Sequence, residues 1–191
     1  MSDKLRVGVA LSGSFCTYAT VLPQIEKMCA LFSVTAIMSE TAYQTDTRFG
    51  KAEDHVKQLE RLSGQTVLHT LSQVEPIGPK KLLDVLVVAP ATGNTLAKLA
   101  CGIADSAVTL AVKAHLRNER PVVLAVSTND ALATAAKNIG QLLNTKNIYF
   151  VPMRQDDPIQ KPRSVVADMS RLTDTVLQAA AGKQIQPIIC N

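Results

Sequence analysis

The chain has 191 residues, and this length predicts one domain, spanning residues 1–191, that can bury a sizeable core. Hydrophobic residues make up 47% of the chain and charged residues 19%, a balance typical of folded globular proteins rather than disordered ones. The net charge is +4 and aromatic residues make up 4%, without tryptophan. This composition argues against a nucleic-acid-binding protein, which needs a basic face or aromatic stacking platforms.

The sequence shows no secretory signal pattern and no apolar run long enough to span a membrane. Its four cysteines include no C-x-x-C pair, which argues against a zinc site or a redox dithiol, and its three histidines do not stand at ligand spacing. We therefore expect a cytoplasmic protein with reduced thiols, no metal site and no contact with membranes or nucleic acid.

Short β-branched runs alternate with longer helical patterns along the whole chain. This pattern predicts strands at 5–11, 33–38, 83–89, 121–126 and 148–151, and helices at 18–31, 51–62, 95–101, 104–116, 131–143 and 165–181. Three stretches are irregular and are expected to be loops: 41–50, 73–81 and 154–162. The alternation predicts an α/β protein with a doubly wound, Rossmann-like (flavodoxin-like) parallel sheet and helices on both faces.

Small polar residues follow four of the predicted strands. They are Gly13, Ser14, Ser39, Thr92, Asn94, Thr95, Ser127, Thr128 and Asn129. Ligands of parallel sheets bind beyond the carboxyl ends of the strands, and hydroxyl groups beside helix N-termini suit a phosphate. The alternative is that these residues only cap helices, which any helix favours.

The chain lacks two sequence patterns of phosphate-binding proteins, and their absence limits the phosphate ligands that it can be expected to bind. No G-x-G-x-x-G follows the first strand, so the usual dinucleotide fingerprint is missing. Gly8 and Gly13 have P-loop spacing, but Ser14 stands where the phosphate-binding lysine would be, which disfavours ATP or GTP hydrolysis. A monophosphate remains, and FMN is the commonest cofactor of this kind.

One motif resembles that of a known superfamily. Pro90-Ala91-Thr92-Gly93-Asn94-Thr95 is similar to the Pro-Ala-Ser-Ala-Asn-Thr motif of the FMN-containing cysteine decarboxylases, a superfamily that includes flavin prenyltransferases. Gly13-Ser14 is similar to its phosphate loop, and Ser39 to its serine after the second strand. The resemblance implies that FMN binds the strand-end residues given above together with Phe15. It also implies a homo-oligomer, commonly a trimer or an assembly of trimers.

Nearly the whole chain also resembles the flavoprotein-like chains of the dipicolinate synthase family of spore-forming bacteria. The similar segments are 13–18, 44–54, 116–118, 127–130, 143–152, 155–158 and 184–187. This resemblance implies an oxidoreductase of sporulation, acting in the mother cell with the family's dehydrogenase-like A subunit, which carries a nicotinamide cofactor. Its substrate would be the cyclic condensation product of aspartate semialdehyde and pyruvate.

The departures from the superfamily pattern weaken the interpretation as a decarboxylase. The decarboxylases carry a catalytic histidine about fourteen residues before the proline of their motif, and Pro76 stands at that position here. The Pro-x-Met-Asn substrate clamp is replaced by Ser127-Thr128-Asn129, in which Asn129 alone matches. Two alternatives stay open: a non-catalytic partner chain with a retained nucleotide-like pocket, and a flavin prenyltransferase or decarboxylase relative.

Two arginines are candidates for binding a dicarboxylate. Arg48 lies in the long loop after the second strand, on the expected ligand-binding edge, and Arg117 lies near the end of a helix. A guanidinium group can bind a carboxylate through two hydrogen bonds. The alternative for both arginines is an ordinary surface charge, and no catalytic residue is predicted.

Overall fold

Within residues 4–190, seven strands form one sheet in the order β2-β1-β3-β4-β7-β6, with β5 also paired to β4. In chain order they are Arg6–Leu11, Ser33–Met38, Val85–Ala91, Val122–Thr128, Ile148–Phe150, Met153–Asp157 and Lys161–Ala167. Strands β1 to β5 pair in parallel, whereas β6 and β7 form an antiparallel hairpin against the end of β4. The computed structural model describes residues 4–190, so the predicted domain span of 1–191 extends beyond the described residues at both ends.

Helices cover both faces of this sheet. The helices α1 to α8 are Tyr18–Leu31, Glu40–Gln44, Ala52–Ser63, Leu71–Val74, Gly93–Ala100, Ala107–Arg117, Ala136–Leu143 and Leu172–Ala180. Apolar side chains of α1, α3 and α8 pack on one face, and those of α5, α6 and α7 pack on the other. All seven residues of β3 are buried, as expected for a central parallel strand covered on both sides. The predicted doubly wound α/β fold is confirmed.

The prediction was wrong over residues 154–171. Residues 154–162 were expected to be a loop and 165–181 a helix, but β6 and β7 occupy most of residues 154–167 and α8 begins only at Leu172. Val165 and Val166, which the helical pattern included, are instead paired with Thr128 and Ser127 of β4. Pairing with a distant strand is a tertiary effect that local periodicity does not contain.

Smaller differences concern where helices begin. The helix expected from residue 131 starts at Ala136, because the preceding segment forms turns and the N–H of Leu132 donates to the carbonyl of Arg163 in the neighbouring hairpin (3.0 Å). The expected loops at 41–50 and 73–81 contain the short helix α2 and a 3₁₀ turn, Glu75–Ile77. The short helix α4 was not predicted, and the remaining strands and helices lie within a few residues of their predicted bounds.

The strand order fixes where a ligand can bind. The chain passes from β1 outward to β2 and then returns across β1 to β3, so the connections diverge between β1 and β3. Crevices at such a switch point, beyond the carboxyl ends of the strands, are the usual ligand sites of open α/β sheets. Among residues 4–190, no helix is both long and apolar enough to cross a membrane.

Candidate functional site

A cavity of about 810 Å³ opens at this edge, between the ends of β1, β3 and β4 and the β6–β7 hairpin. This volume lies within the range of small-molecule and cofactor sites. The residues that line it are Gly13, Ser14, Cys16, Thr17, Arg48, Thr92, Gly93, Asn94, Ser127, Thr128, Asn129, Asp130, Asp156, Lys161, Ser164, Val165 and Val166. Eight of the sequence-predicted site residues are therefore brought to one cavity: seven expected to bind FMN, and Arg48.

Three of the predicted cofactor residues lie beside the cavity without lining it. Ser39 caps α2, its hydroxyl accepting a hydrogen bond from the N–H of Ala42 (3.2 Å). Thr95 is buried and its hydroxyl lies 3.0 Å from that of Thr92. Phe15 belongs to the 3₁₀ turn after β1, with its ring against Tyr18. These side chains support the walls of the cavity.

Arg117 lies away from the cavity. It is the last residue of α6, and its guanidinium faces Gly78. Arg120 follows shortly after this helix end. Arg120 in turn pairs with Asp84, which precedes β3 and also pairs with Arg6 at the start of β1. This cluster marks the amino-terminal edge of the sheet, opposite the cavity, so the geometry separates the two candidate arginines.

Hydrogen bonds fix the strand ends that form the cavity floor. The Ser12 hydroxyl donates to the carbonyl of Pro90 (2.6 Å) and accepts from the N–H of Thr92 (3.2 Å), which joins the end of β1 to that of β3. The hydroxyls of Ser14 and Ser127 lie 2.8 Å apart and connect β1 to β4. The polar floor is thus held in place by the protein itself, which lowers the ordering cost of binding.

The beginning of α5 is suited to a phosphate. Thr92 caps this helix by accepting from the N–H of Thr95 (3.2 Å), while the N–H groups of Gly93 and Asn94 lie in the first turn, where a helix offers no acceptors. The positive end of the helix dipole adds to the attraction for an anion. Together with the hydroxyls of Ser14 and Ser127, this donor set fits a phosphate monoester such as that of FMN.

Gly93 allows the end of β4 to approach this helix closely. A β-carbon built at Gly93 would lie 2.7 Å from Thr128 Oγ1 and 2.9 Å from Asp130 Oδ1, which is shorter than such contacts allow. These two side chains are themselves bonded, since the Thr128 hydroxyl donates to Asp130 (2.5 Å). Any larger residue at position 93 would therefore displace this bonded pair at the end of β4.

The hairpin contributes charged residues that the sequence reasoning missed. Lys161 and Asp156 form an ion pair (2.7 Å), and the Asp156 carboxylate raises the pKa of Lys161. Ser164 and Asp130 line the cavity as well. The signal available in the sequence was weak: residues 154–162 were recognised as irregular, but their pairing with β4 was not. Cys16 is exposed at the cavity.

No histidine is among the residues of 4–190 that line the cavity. Pro76, at the position of the decarboxylase histidine, lies in the 3₁₀ turn Glu75–Ile77, which packs against α6. His69 stacks on Tyr43 (3.7 Å between ring centroids), and His115 is buried in α6. Burial, together with the nearby Arg120, lowers the pKa of His115 to about 4. Proton transfer by a histidine is therefore not built into this cavity.

Comparison with known proteins identifies the class. A sequence model of the flavoprotein family matches residues 1–181, and the chain belongs to this family. Within it, the chain is 45% identical over 185 residues to the B subunit of dipicolinate synthase from Bacillus subtilis (strain 168), covering 96% of this chain and 92% of that protein. The resemblance expected from the sequence is confirmed.

Solved structures agree with this assignment. The crystal structure of the dipicolinate synthase B subunit from Bacillus halodurans superposes with a TM-score of 0.91 at 42% identity, covering 99% of this chain and 97% of that one. An FMN-dependent cysteine decarboxylase from thioviridamide biosynthesis superposes with a TM-score of 0.66 at 25% identity, covering 93% and 98%. The fold is thus shared with an FMN-dependent enzyme.

Proposed function

We propose that this chain is the FMN-binding B subunit of a dipicolinate synthase. It acts with a dehydrogenase-like A subunit, which carries a nicotinamide cofactor, on the cyclic condensation product of aspartate semialdehyde and pyruvate. That substrate becomes the aromatic dicarboxylate by losing one water and two electrons with two protons. The observation that carries the proposal is the convergence of eight predicted residues on one cavity at the switch point of the sheet.

The cofactor end of the cavity is the polar floor. Ser14, Ser127 and the first turn of α5 supply hydroxyl and N–H donors for a phosphate, and Asn94, Thr128 and Asn129 supply further polar groups along the same wall. FMN, when bound, supplies a two-electron acceptor for the oxidation. The protein's own contribution is to hold the phosphate with neutral donors, so its cations stay available for the substrate.

The substrate end is marked by two cations, Arg48 and Lys161. A planar dicarboxylate carries a negative charge at each end, and both cations line the cavity. Arg48 forms no ion pair with an acidic side chain of residues 4–190; its guanidinium lies 4.8 Å from the centroid of the Phe49 ring. Its charge is therefore free for a carboxylate, whereas Asp156 already neutralises much of the charge of Lys161.

The proposal includes a homo-oligomer, expected as a trimer or an assembly of trimers. Exposed apolar side chains such as Leu132, Leu143 and Ile189 give the chain surface for such contacts. Sedimentation at micromolar concentration is expected to give an assembly of several copies, and a monomer would contradict this part.

The function is tested by reconstitution with the A subunit. The purified chain, freed of flavin, is mixed with the A subunit and substrate, and dipicolinate formation is followed with and without added FMN. The proposal expects formation to require FMN. Equal rates in both reactions would instead indicate a non-catalytic chain that only completes the site. Control reactions that contain only one of the two proteins establish which chain is required.

A further inference from the structure

His55 occupies an unusual position next to the cavity. It lies in α3, is only 9% exposed, and its Nε2 atom is buried without a hydrogen-bond partner among the described residues. Because Nε2 has no hydrogen-bond partner within residues 4–190, the role of His55 must come from the contacts of its flat ring.

The ring of His55 lies directly under the turn that carries Arg48. Thr47 and Gly50 exchange two backbone hydrogen bonds (3.0 and 3.1 Å), which leaves Arg48 and Phe49 as the two central residues of a tight turn. Gly50 has φ +142°, a conformation that favours glycine, and a β-carbon built on it would lie 2.6 Å from His55 Nε2. The turn thus rests on the flat ring with no room for a side chain between them.

A second contact anchors the same turn to α3. The carboxylate of Asp46 accepts a hydrogen bond from the N–H of Ala52 (2.8 Å) in the first turn of that helix. The residue just before Thr47 therefore hydrogen-bonds to the beginning of α3. The turn itself packs on His55, which lies about one helical turn further along α3. The side chain of Arg48 is itself exposed, and within residues 4–190 its ring contact with Phe49 is the interaction that the structure shows for it.

On its other side, His55 meets the loop that forms the cofactor end of the cavity. The ring of Tyr18 meets that of His55 edge to face, with centroids 5.0 Å apart, and Phe15 lies 5.4 Å from Tyr18. The Tyr18 hydroxyl donates to the carbonyl of Ser12 (3.0 Å), and burial raises the pKa of Tyr18, so the phenol keeps this proton. A continuous stack thus runs from the end of β1 to the Arg48 turn.

We propose that His55 is a positioning residue for substrate binding. Its ring fixes the Arg48 turn at a set distance from the Ser12–Phe15 loop. The Arg48 guanidinium is thereby held at the substrate end of the cavity, while the FMN phosphate is held at the cofactor end. This inference rests on the proposed function, because it assigns Arg48 to a dicarboxylate. His55 does not line the cavity itself. Through its ring, the position of Arg48 at the substrate end depends on the position of the Ser12–Phe15 loop at the cofactor end.

The matched control is His115. It too is buried, and its Nε2 atom also lacks a partner in the described part of the chain, but it lies on α6, remote from the Arg48 turn. His55→Ala and His115→Ala both remove a buried imidazole, so both are expected to lower stability. Only His55→Ala removes the support of the turn. His55→Phe keeps a flat ring and is expected to rescue the effect.

Amide hydrogen exchange of the flavin-free protein measures the turn directly. The N–H groups of Thr47 and Gly50 are expected to exchange about tenfold faster in His55→Ala, and at the wild-type rate in His55→Phe and His115→Ala. Should His55→Ala not fold, Gly50→Ala approaches the same contact from the other side and is expected to give the same loss. Unchanged exchange in the folded variant, or equal loss in His115→Ala, would overturn the inference.

Binding of pyridine-2,6-dicarboxylate to the FMN-loaded protein, measured by calorimetry, provides the second readout. Its affinity is expected to fall roughly fivefold in His55→Ala, with FMN affinity unchanged, because a displaced guanidinium no longer meets the carboxylate. If His55→Ala loosens the turn but Arg48→Ala leaves this affinity unchanged, the proposed role of Arg48 fails while the support of the turn by His55 stands. If Arg48→Ala weakens binding and His55→Ala does not, the positioning role is wrong.

Discussion

Replacing Arg48 with alanine should weaken the enzyme through the substrate and leave the cofactor in place. Arg48 reaches the cavity from the turn after α2, whereas the phosphate donors lie on the ends of β1, β3 and β4. The two ends of the site are therefore built from different segments. Removing the guanidinium should raise KM for the dicarboxylate and leave the FMN dissociation constant unchanged.

The size of this effect follows from the environment of Arg48. A charge-assisted hydrogen bond contributes about 1.5–3 kcal/mol, or roughly ten- to a hundredfold in kcat/KM. Because Arg48 is exposed and solvent screens its charge, the lower part of that range applies, about tenfold. Because the side chain has no acidic partner within the described residues, no unpaired carboxylate is left behind to add to the loss.

Dipicolinate formation by the reconstituted two-chain complex is the assay, and Arg117→Ala is the matched control. Arg117 was the second candidate in the sequence, but it lies at the amino-terminal edge of the sheet, so its loss should leave kcat/KM within about twofold of the wild type. Wild-type kinetics in Arg48→Ala, with an unchanged fold, would refute the reasoning. Loss of FMN or of assembly in that variant would assign Arg48 a structural role instead.

Three further outcomes are expected. Gly93→Ala, which places a β-carbon 2.7 Å from Thr128 Oγ1, should weaken FMN binding about tenfold in a fluorescence titration, while circular dichroism stays unchanged. Lys161→Met should raise KM less than Arg48→Ala does in the same assay, because Asp156 already neutralises the cation; a larger effect would reverse the assigned order. Because burial lowers the pKa of His115 to about 4, against about 6.5 when unfolded, acidification through this window should destabilise the fold by up to about 3 kcal/mol in urea titrations. The His115→Gln variant should show a flatter dependence on pH.

The cofactor end of the site was accessible from the sequence because its residues follow strands. Ser14, Thr92 and Ser127 each lie at or just after the end of a buried apolar strand, and parallel strands bring their carboxyl ends to one edge. Local periodicity thus located both the strands and the residues after them. Ser39, which does not line the cavity, lies at the same edge, but its side chain caps α2.

The hairpin side of the site was not accessible in this way. Lys161 and Asp156 reach the cavity because β7 pairs with the end of β4 over only two residues, a long-range contact without a local signal. The sequence placed Arg48 on the ligand-binding edge, in the loop after the second strand, and left Arg117 as a second candidate. The direction of α6 removes Arg117 from the site, because its last turn returns to the amino-terminal edge.

Titration of the flavin-free chain with FMN tests the central claim most directly. The ends of β1, β3 and β4 hold a preformed set of phosphate donors, so visible absorption and fluorescence quenching should show one FMN bound per chain, with a dissociation constant of about 10 µM or lower. Gly93→Ala should weaken this binding, whereas Arg48→Ala should leave it unchanged. Absence of binding below about 1 mM, in a protein with an intact fold, would contradict the account.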